Sequence, residues 1–563
     1  MNDTTINARR AQSPTLGHRV FAIAATVVLL AGCASSVPSP SGGSAAPPTS
    51  TAAAPSAPAA AAGGILKFAI AQPVDSLDPA VGTTSSTSVV IQSIFDRLVW
   101  AKPGDPKYYP GLASSWDISP DLKTYTFHLR TDVKFHDGTP FNAAAVKFNF
   151  DRIVDPATKG GISVGSLGPY DSSTVVDDST IRVNFKKANA SLLNMLQTVW
   201  LAPVSPAAVA KWGADFQDHL VGTGPYMLKE YVHSDHITLA RNPDYKWGPE
   251  IFKHQGPGYV DEIVYRMIAE DSTRVAALQS GEETLIDRVP APDFERLKAD
   301  SAYQTMVAST GGAGWFLAQN LVNAPTDDPA VRNAIAAAVN PKQISDTIFK
   351  GTLPANGSIL EHNTLGYNAS QDTVIKNDPT AAGAMLDADG WVMGTDGFRQ
   401  KAGKRLSVVL FAFTGFGMDE MSVAVQGQLK PIGIDVQIKT LDFGAGVTAM
   451  GAKTQHNLSW VFGWYADPSI LDVFFRCKPA VFNYSFTCDP AIDKALDDGL
   501  AAPNDTARAA IYSDVVTKLE KNGTAIPFFA KATVLAANKT INIGDIFVNP
   551  EGYPIFYDVS IHP

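Results

Sequence analysis

Cysteine is almost missing from this chain: three residues in 563, at Cys33, Cys477 and Cys488. Such scarcity excludes a disulfide-dense scaffold and leaves no spare thiol for catalysis once those three are assigned. Histidine is also sparse, ten in all and scattered, so a metal cage built by the protein is not expected. His233-x-x-His236, with Asp235 between, is the one spacing to test as a metal site, and a surface role is the simpler reading. Charged residues make only 18% of the chain and sum to −10. With no basic run, nucleic acid is excluded as a partner, since phosphate neutralisation needs clustered Lys and Arg. His-Glu-x-x-His is absent, as is Ser-x-x-Lys beside its partner motifs. The chain offers no recognisable nucleophile with a base, so it is not expected to be an enzyme or to need a cofactor.

A chain of this length is too long for one core and implies two or three domains. Its first segment, residues 1–33, reads as a processing signal. Arg9, Arg10 and Arg19 precede Val20–Leu30, an apolar run too short to span a bilayer. The run ends in Leu30-Ala31-Gly32-Cys33, which resembles a bacterial lipobox: small residues expose the bond before Cys33, whose thiol accepts the lipid. A secretory signal with an incidental cysteine is the rival. Residues 34–63 are almost entirely Ala, Ser, Pro, Gly and Thr and read as a disordered tether.

The most informative stretch is Leu112–Phe150. Tyr125, Phe127 and Leu129 alternate with Thr124, Thr126, His128 and Arg130, the period of a half-buried strand. A second short strand is expected at 133–136, stopped by the Asp137-Gly138 turn. Asn142 then caps a helix carrying Val146 and Phe150 inward. Further motifs are Leu77-Asp78-Pro79, Leu112-Ala-x-Ser-Trp116, Val133-Lys-Phe-His-Asp-Gly-x-Pro-Phe141, Gly222-Thr-Gly-Pro-Tyr226, Arg241-Asn-Pro-Asp-Tyr245 and Gly463-Trp-Tyr-Ala-Asp467. Together they resemble the bacterial extracellular solute-binding proteins of the peptide and nickel class, family 5, over roughly residues 64–535. Ala143-Ala144-Ala145 departs from relatives that carry an acidic residue there.

The resemblance implies an α/β, two-lobed periplasmic-binding-protein-like fold of the large peptide-binding type, with a small α+β domain inserted in the first lobe. The expected boundaries are 64–104 and 201–310 for lobe I, 105–200 for the insertion, 311–530 for lobe II and 531–563 for a return to lobe I. Local signals agree. Val89–Leu98 has helical spacing, Gly222 and Gly224 permit positive φ and close backbone approach, and Asp328-Pro329 and Asp378-Pro379 open helices. Strands near 406–413, 434–438 and 458–463, separated by helices, predict a largely parallel sheet. Such sheets bind ligands beyond the carboxyl ends of their strands, which is where Trp464 and Asp467 fall.

The resemblance further implies a lipid-anchored receptor of an ABC importer, a monomer that closes on a peptide-like solute and hands it to a permease with its ATPase subunits. A metal chelate, haem or glycan as cargo, or a surface peptide-processing hydrolase, are the alternatives. Asp467 is expected to hold a ligand ammonium through a charge-assisted hydrogen bond, or else to cap the turn at Asp467-Pro468; relatives place an aromatic and a second acid before that proline. Trp464 is expected as a pocket wall or as core, Trp315 as a weaker contact beside Gly311–Gly314, and Thr84 and Ser85 as first-lobe contacts or solvated loop. Cys477 and Cys488 are expected to bridge in an oxidising compartment; a metal pair would want nearby ligands, and only Asp489 offers.

Cys33→Ala is expected to block lipid transfer, releasing the protein from membranes or leaving an unprocessed precursor. Membrane fractionation and gel migration identical to wild type would contradict the lipobox assignment.

Overall fold

The structure is a computed structural model that describes residues 63–413, 417–463, 465–477 and 482–562. Cys33, the processing signal, most of the tether and Trp464 lie outside the described residues.

Three sheets organise the chain. The first has seven strands, in the order Tyr303–Ser309, Ala532–Asn538, Leu285–Asp287, Ile65–Ile70, Glu262–Met267, His236–Arg241 and Tyr226–Val232. Ile65–Ile70 lies at its centre, parallel to both neighbours. Both faces of that strand are covered. Leu66, Phe68 and Ile70 enter one apolar cluster, with Phe68 edge-on to Phe556 at 5.3 Å. Ala69 enters another, under the helices Asp271–Ser280 and Ala291–Ala299. Burial on two faces accounts for the apolar residues Phe68, Ala69 and Ile70, while Ile65 and Lys67 are exposed at the start of the strand.

The second sheet is a four-stranded antiparallel meander-like unit ordered Ala113–Ile118, Thr124–Leu129, Thr180–Phe185, Tyr170–Asp177. Tyr125, Phe127 and Leu129 are buried while Thr124, Thr126 and His128 are half-exposed, as the alternation requires. Asn142 caps the helix Ala143–Val154 by accepting the Ala145 N–H, and that helix buries Val146 and Phe150. The expected strand at 133–136 does not form. The segment makes an isolated bridge, Lys134 to Pro140, around the Asp137-Gly138 turn, because Gly138 at φ 81° reverses the chain before a ladder can develop.

The third sheet has five strands in the order Asp435–Leu441, Ser407–Phe413, Leu458–Val461, Trp315–Gln319, Ala525–Phe529. Its first three are parallel and its last two antiparallel. The crossover helices Met418–Leu429 and Phe443–Met450 link the parallel strands. Asp328 and Asp378 cap their helices, each with Pro following.

Two local expectations are corrected. The helix placed at Val89–Leu98 is Ser85–Ile91, started by Thr84, whose hydroxyl accepts the Thr87 N–H. Gly222 and Gly224 do not have positive φ. They are needed for contact: a Cβ at Gly222 would lie 2.2 Å from the Ile94 carbonyl oxygen, and one at Gly224 2.6 Å from the Ile94 carbonyl carbon. Among the described residues, no helix is long and apolar enough to cross a membrane.

Cys477 and Cys488 form a disulfide, with Cα atoms 4.4 Å apart. Closing so short a loop stabilises by about 2–3 kcal/mol in the chain-entropy account. Replacing both by serine is expected to cost that amount in urea unfolding, and unreduced wild type is expected to show neither thiol on titration; two reactive thiols would contradict the bridge.

Candidate functional site at the lobe crossover

The chain passes between the seven-stranded and five-stranded sheets twice, from Ser309 to Trp315 and from Phe529 to Ala532. The crossovers run side by side: the Thr310 N–H donates to the Lys531 carbonyl at 3.2 Å. The first crossover is also tied to segments on either side. Gly311 N–H donates to Pro550 O at 3.0 Å and Glu361 N–H to Gly312 O at 2.9 Å. Gly312, at φ 97°, leaves no room for a side chain, since a Cβ would stand 2.1 Å from the Tyr465 carbonyl oxygen. This close approach, with Gly463 N–H donating to Ala313 O at 3.0 Å, seats the segment containing Tyr465, Ala466 and Asp467 on the crossover.

Asp467 therefore stands at the lobe junction, but its carboxylate is committed inside the protein. Arg508 Nη1 donates to Oδ2 at 2.8 Å and Nη2 to Oδ1 at 2.5 Å. The Ser469 N–H donates to Oδ1 at 2.8 Å, so the turn-capping role is also filled. Both side chains are 5% exposed or less. Arg508 Nε reaches Gly499 O, and the guanidinium lies over the Tyr512 ring at 5.3 Å. The ammonium partner expected for Asp467 is replaced by Arg508, carried on the helix Asp505–Lys521. Tyr108, on the strand Tyr108–Pro110, feels the same pair; burial and then the Asp467 charge push its phenol well above the ordinary range.

The other expected residues are placed as follows. Trp315 is buried at the start of its strand and packs on Phe462 at 4.4 Å. Thr84 is the helix cap and bonds Asp75. Ser85 donates to Gln72 and accepts from Arg288 Nη2 at 2.9 Å. His233 pairs with Asp218 and His236 with Asp235 and Glu230, and no group of three metal-ligating side chains occurs among the described residues.

Several buried polar groups were not revealed by the spacing of motifs, and Arg97 is linked to the junction through the charge of Glu551, whose carbonyl accepts from Lys531. Arg97 is fully buried, its guanidinium 4.2 Å over the Trp100 ring, and none of its three nitrogens has a hydrogen-bond partner among the described residues. Burial pulls it down to about 10, against the charges of Glu551 and Asp96. Asp96 is itself satisfied by the Tyr245 hydroxyl and Trp247 indole, both at 2.9 Å. Gln197 Nε2 and Trp200 Nε1 are likewise buried without partners. Lys531, on the second crossover, donates from Nζ to the Glu551 carbonyl at 2.8 Å and from its N–H to the Glu361 carboxylate. The available signal was a lone ionisable group in an apolar run: Asp96-Arg97 within Val89–Ala101, and Lys531 within Ala525–Ala537.

Residues 107–480 match the family model described as bacterial extracellular solute-binding proteins, family 5, middle region. The chain belongs to that family. This family 5 protein is 28% identical to the glutathione-binding protein GsiB of Pectobacterium atrosepticum, over 88% of this chain and 93% of that protein. Its fold is similar to that of NikA from Brucella suis, solved with Fe(III)-EDTA (TM-score 0.77, 26% identity, 89% of this chain, 100% of NikA). It is also similar to that of DppA from Helicobacter pylori, solved with the peptide STSA (TM-score 0.75, 26% identity, 89% of this chain, 99% of DppA). The two-lobed α/β architecture expected from the sequence is the architecture of these family 5 binding proteins.

Removing one partner of a buried ion pair costs about 3–5 kcal/mol, because the other charge is left desolvated. Asp467→Asn is therefore expected to lower unfolding stability by that order in urea titration. A stability unchanged within about 0.5 kcal/mol would free Asp467 for a ligand and contradict the pairing.

Proposed function

We propose that this family 5 protein is the receptor of an ABC importer, that it captures an anionic, peptide-like solute between its lobes, and that it acts by binding without turnover. The observation that carries the solute class is Arg97, a buried guanidinium with no hydrogen-bond partner among the described residues. More than nine in ten buried polar groups in folded proteins are paired, and an unpaired charge is costlier than an unpaired amide. A solute carboxylate at the lobe junction would take that guanidinium. The named cargoes of relatives point the same way: glutathione, a tetrapeptide and Fe(III)-EDTA all carry carboxylates. Asp467, neutralised by Arg508, is not assigned to the solute amine, so a free α-ammonium is not the feature read at that position.

The lobes divide at the two crossovers, and closure is driven by contacts that both lobes make to the solute; only its differential affinity for the closed form moves the balance. Leu30-Ala31-Gly32-Cys33 supports a lipid anchor, with residues 34–63 as tether, holding the receptor near its permease.

Calorimetric titration of the full chain with glutathione, the peptide STSA and Fe(III)-EDTA tests the reading. At least one is expected to bind saturably and to be recovered intact. Against that probe, Arg97→Met is expected to weaken affinity by tens-fold or more, the scale of losing a buried charge-assisted contact. Equal affinity of wild type and variant would remove Arg97 from the site.

A further inference from the structure

Lys531, on the second crossover, is bound from both sides, by its backbone N–H on one and its side-chain Nζ on the other. Its N–H is held by the Glu361 carboxylate of the lobe that contains the five-stranded sheet, and its Nζ by the Glu551 carbonyl beside the seven-stranded sheet. Its own carbonyl accepts the N–H of Thr310 on the neighbouring crossover. Its ammonium also lies 5.4 Å from the Tyr553 ring centroid. Glu361 is anchored in turn, since its N–H donates to Gly312 O on the first crossover and its carbonyl accepts from Thr364. Glu551 is anchored through Asn549, whose Nδ2 donates to Oε2 at 3.2 Å. Four attachments on one crossover residue fix the local backbone, and the local backbone sets the angle between the sheets it joins.

We propose that Lys531 is the positioning residue of lobe closure: by clasping Glu361 and Glu551 at once it fixes the hinge angle, and so regulates solute capture without touching the solute. The proposal rests on the two-lobed binding reading, but its test needs no solute, so failure of one leaves the other standing.

The charged and titratable groups facing the clasp are Glu361, Glu551, Arg288 and Tyr553, with Arg97 beyond Glu551 and Asp287 beyond Arg288. Burial pushes Glu361 up to about 8 and Glu551 up to about 7, and pulls Lys531 down to about 8. Forming the clasp from hydrated groups therefore takes up protons on the glutamates and releases one from Lys531. The glutamate contribution is present at low pH and fades as pH rises through about 7–8. The lysine contribution has the opposite sign and grows above about 8.

Single-molecule energy transfer on the full chain, with dyes at Lys298→Cys and Val423→Cys and Cys33→Ser removing the third thiol, reads the interlobe distance without solute. In wild type the population at the distance of this structure is expected to fall from pH 6 to about 8 and to recover above it. Lys531→Met is expected to lower the ratio of that population to the rest about tenfold at pH 7, the scale of one charge-assisted bond, and to abolish the recovery above pH 8. Glu361→Gln keeps an acceptor for the Lys531 N–H and loses the charge; it is expected to flatten the fall and keep the recovery. Should Lys531→Met not fold, Glu361→Gln decides alone: a flattened fall supports the clasp. Ratios and pH profiles equal to wild type in the folded variants would overturn it.

Discussion

Everything about the lobe junction depends on two short crossovers having to pass within hydrogen-bond reach of each other. The Thr310–Lys531 bond joins them, and glycines at 311, 312 and 314 let neighbouring segments lie directly on them. That constraint places Tyr465 and Asp467 at the junction from one side and Glu551 from the other. It also means that a rotation between the sheets is concentrated in few residues, which is the condition for hinge closure. The carboxyl end of the strand Leu458–Val461 supplies the segment, but the crossover decides where that segment rests.

The buried charges at the junction divide into two kinds. Asp467 and Arg508 satisfy each other with two parallel bonds, a capped turn and an aromatic face, and together form part of the framework. Arg97 and the Glu551 Oε1 lack hydrogen-bond partners among the described residues, whereas Lys531 and Glu361 are bonded at the crossover. Burial shifts each of the four toward its neutral form, against the neighbouring charges that favour the ionised one.

Much of the fold was legible because its signals are local. Tyr125, Phe127 and Leu129 declare a strand by alternation, and Asp328-Pro329 declares a helix start by capping chemistry. The strand expected at 133–136 failed because a β-ladder needs a partner, and a four-residue run before Asp137-Gly138 has none long enough to pair with. The helix at 85–91 was placed too late because apolar spacing marks the buried face, whereas Thr84 and its hydroxyl mark the start. The site was less legible for the same reason. Asp467 was correctly located beyond a strand end, yet its partner Arg508 is 41 residues further on, and no periodicity links the two. The lone Lys531 in an apolar run was visible in the sequence, but its meaning required knowing that this run crosses between lobes.

The central claim is that the protein carries an anionic, peptide-like solute between its lobes. Native mass spectrometry of the full chain purified from its own host tests this most directly. The account predicts a stoichiometric small-molecule adduct that is released on denaturation and carries at least one carboxylate. An adduct that is uncharged or cationic would contradict the assignment of Arg97, and the absence of any adduct under conditions that retain solutes on family 5 relatives would contradict the claim itself.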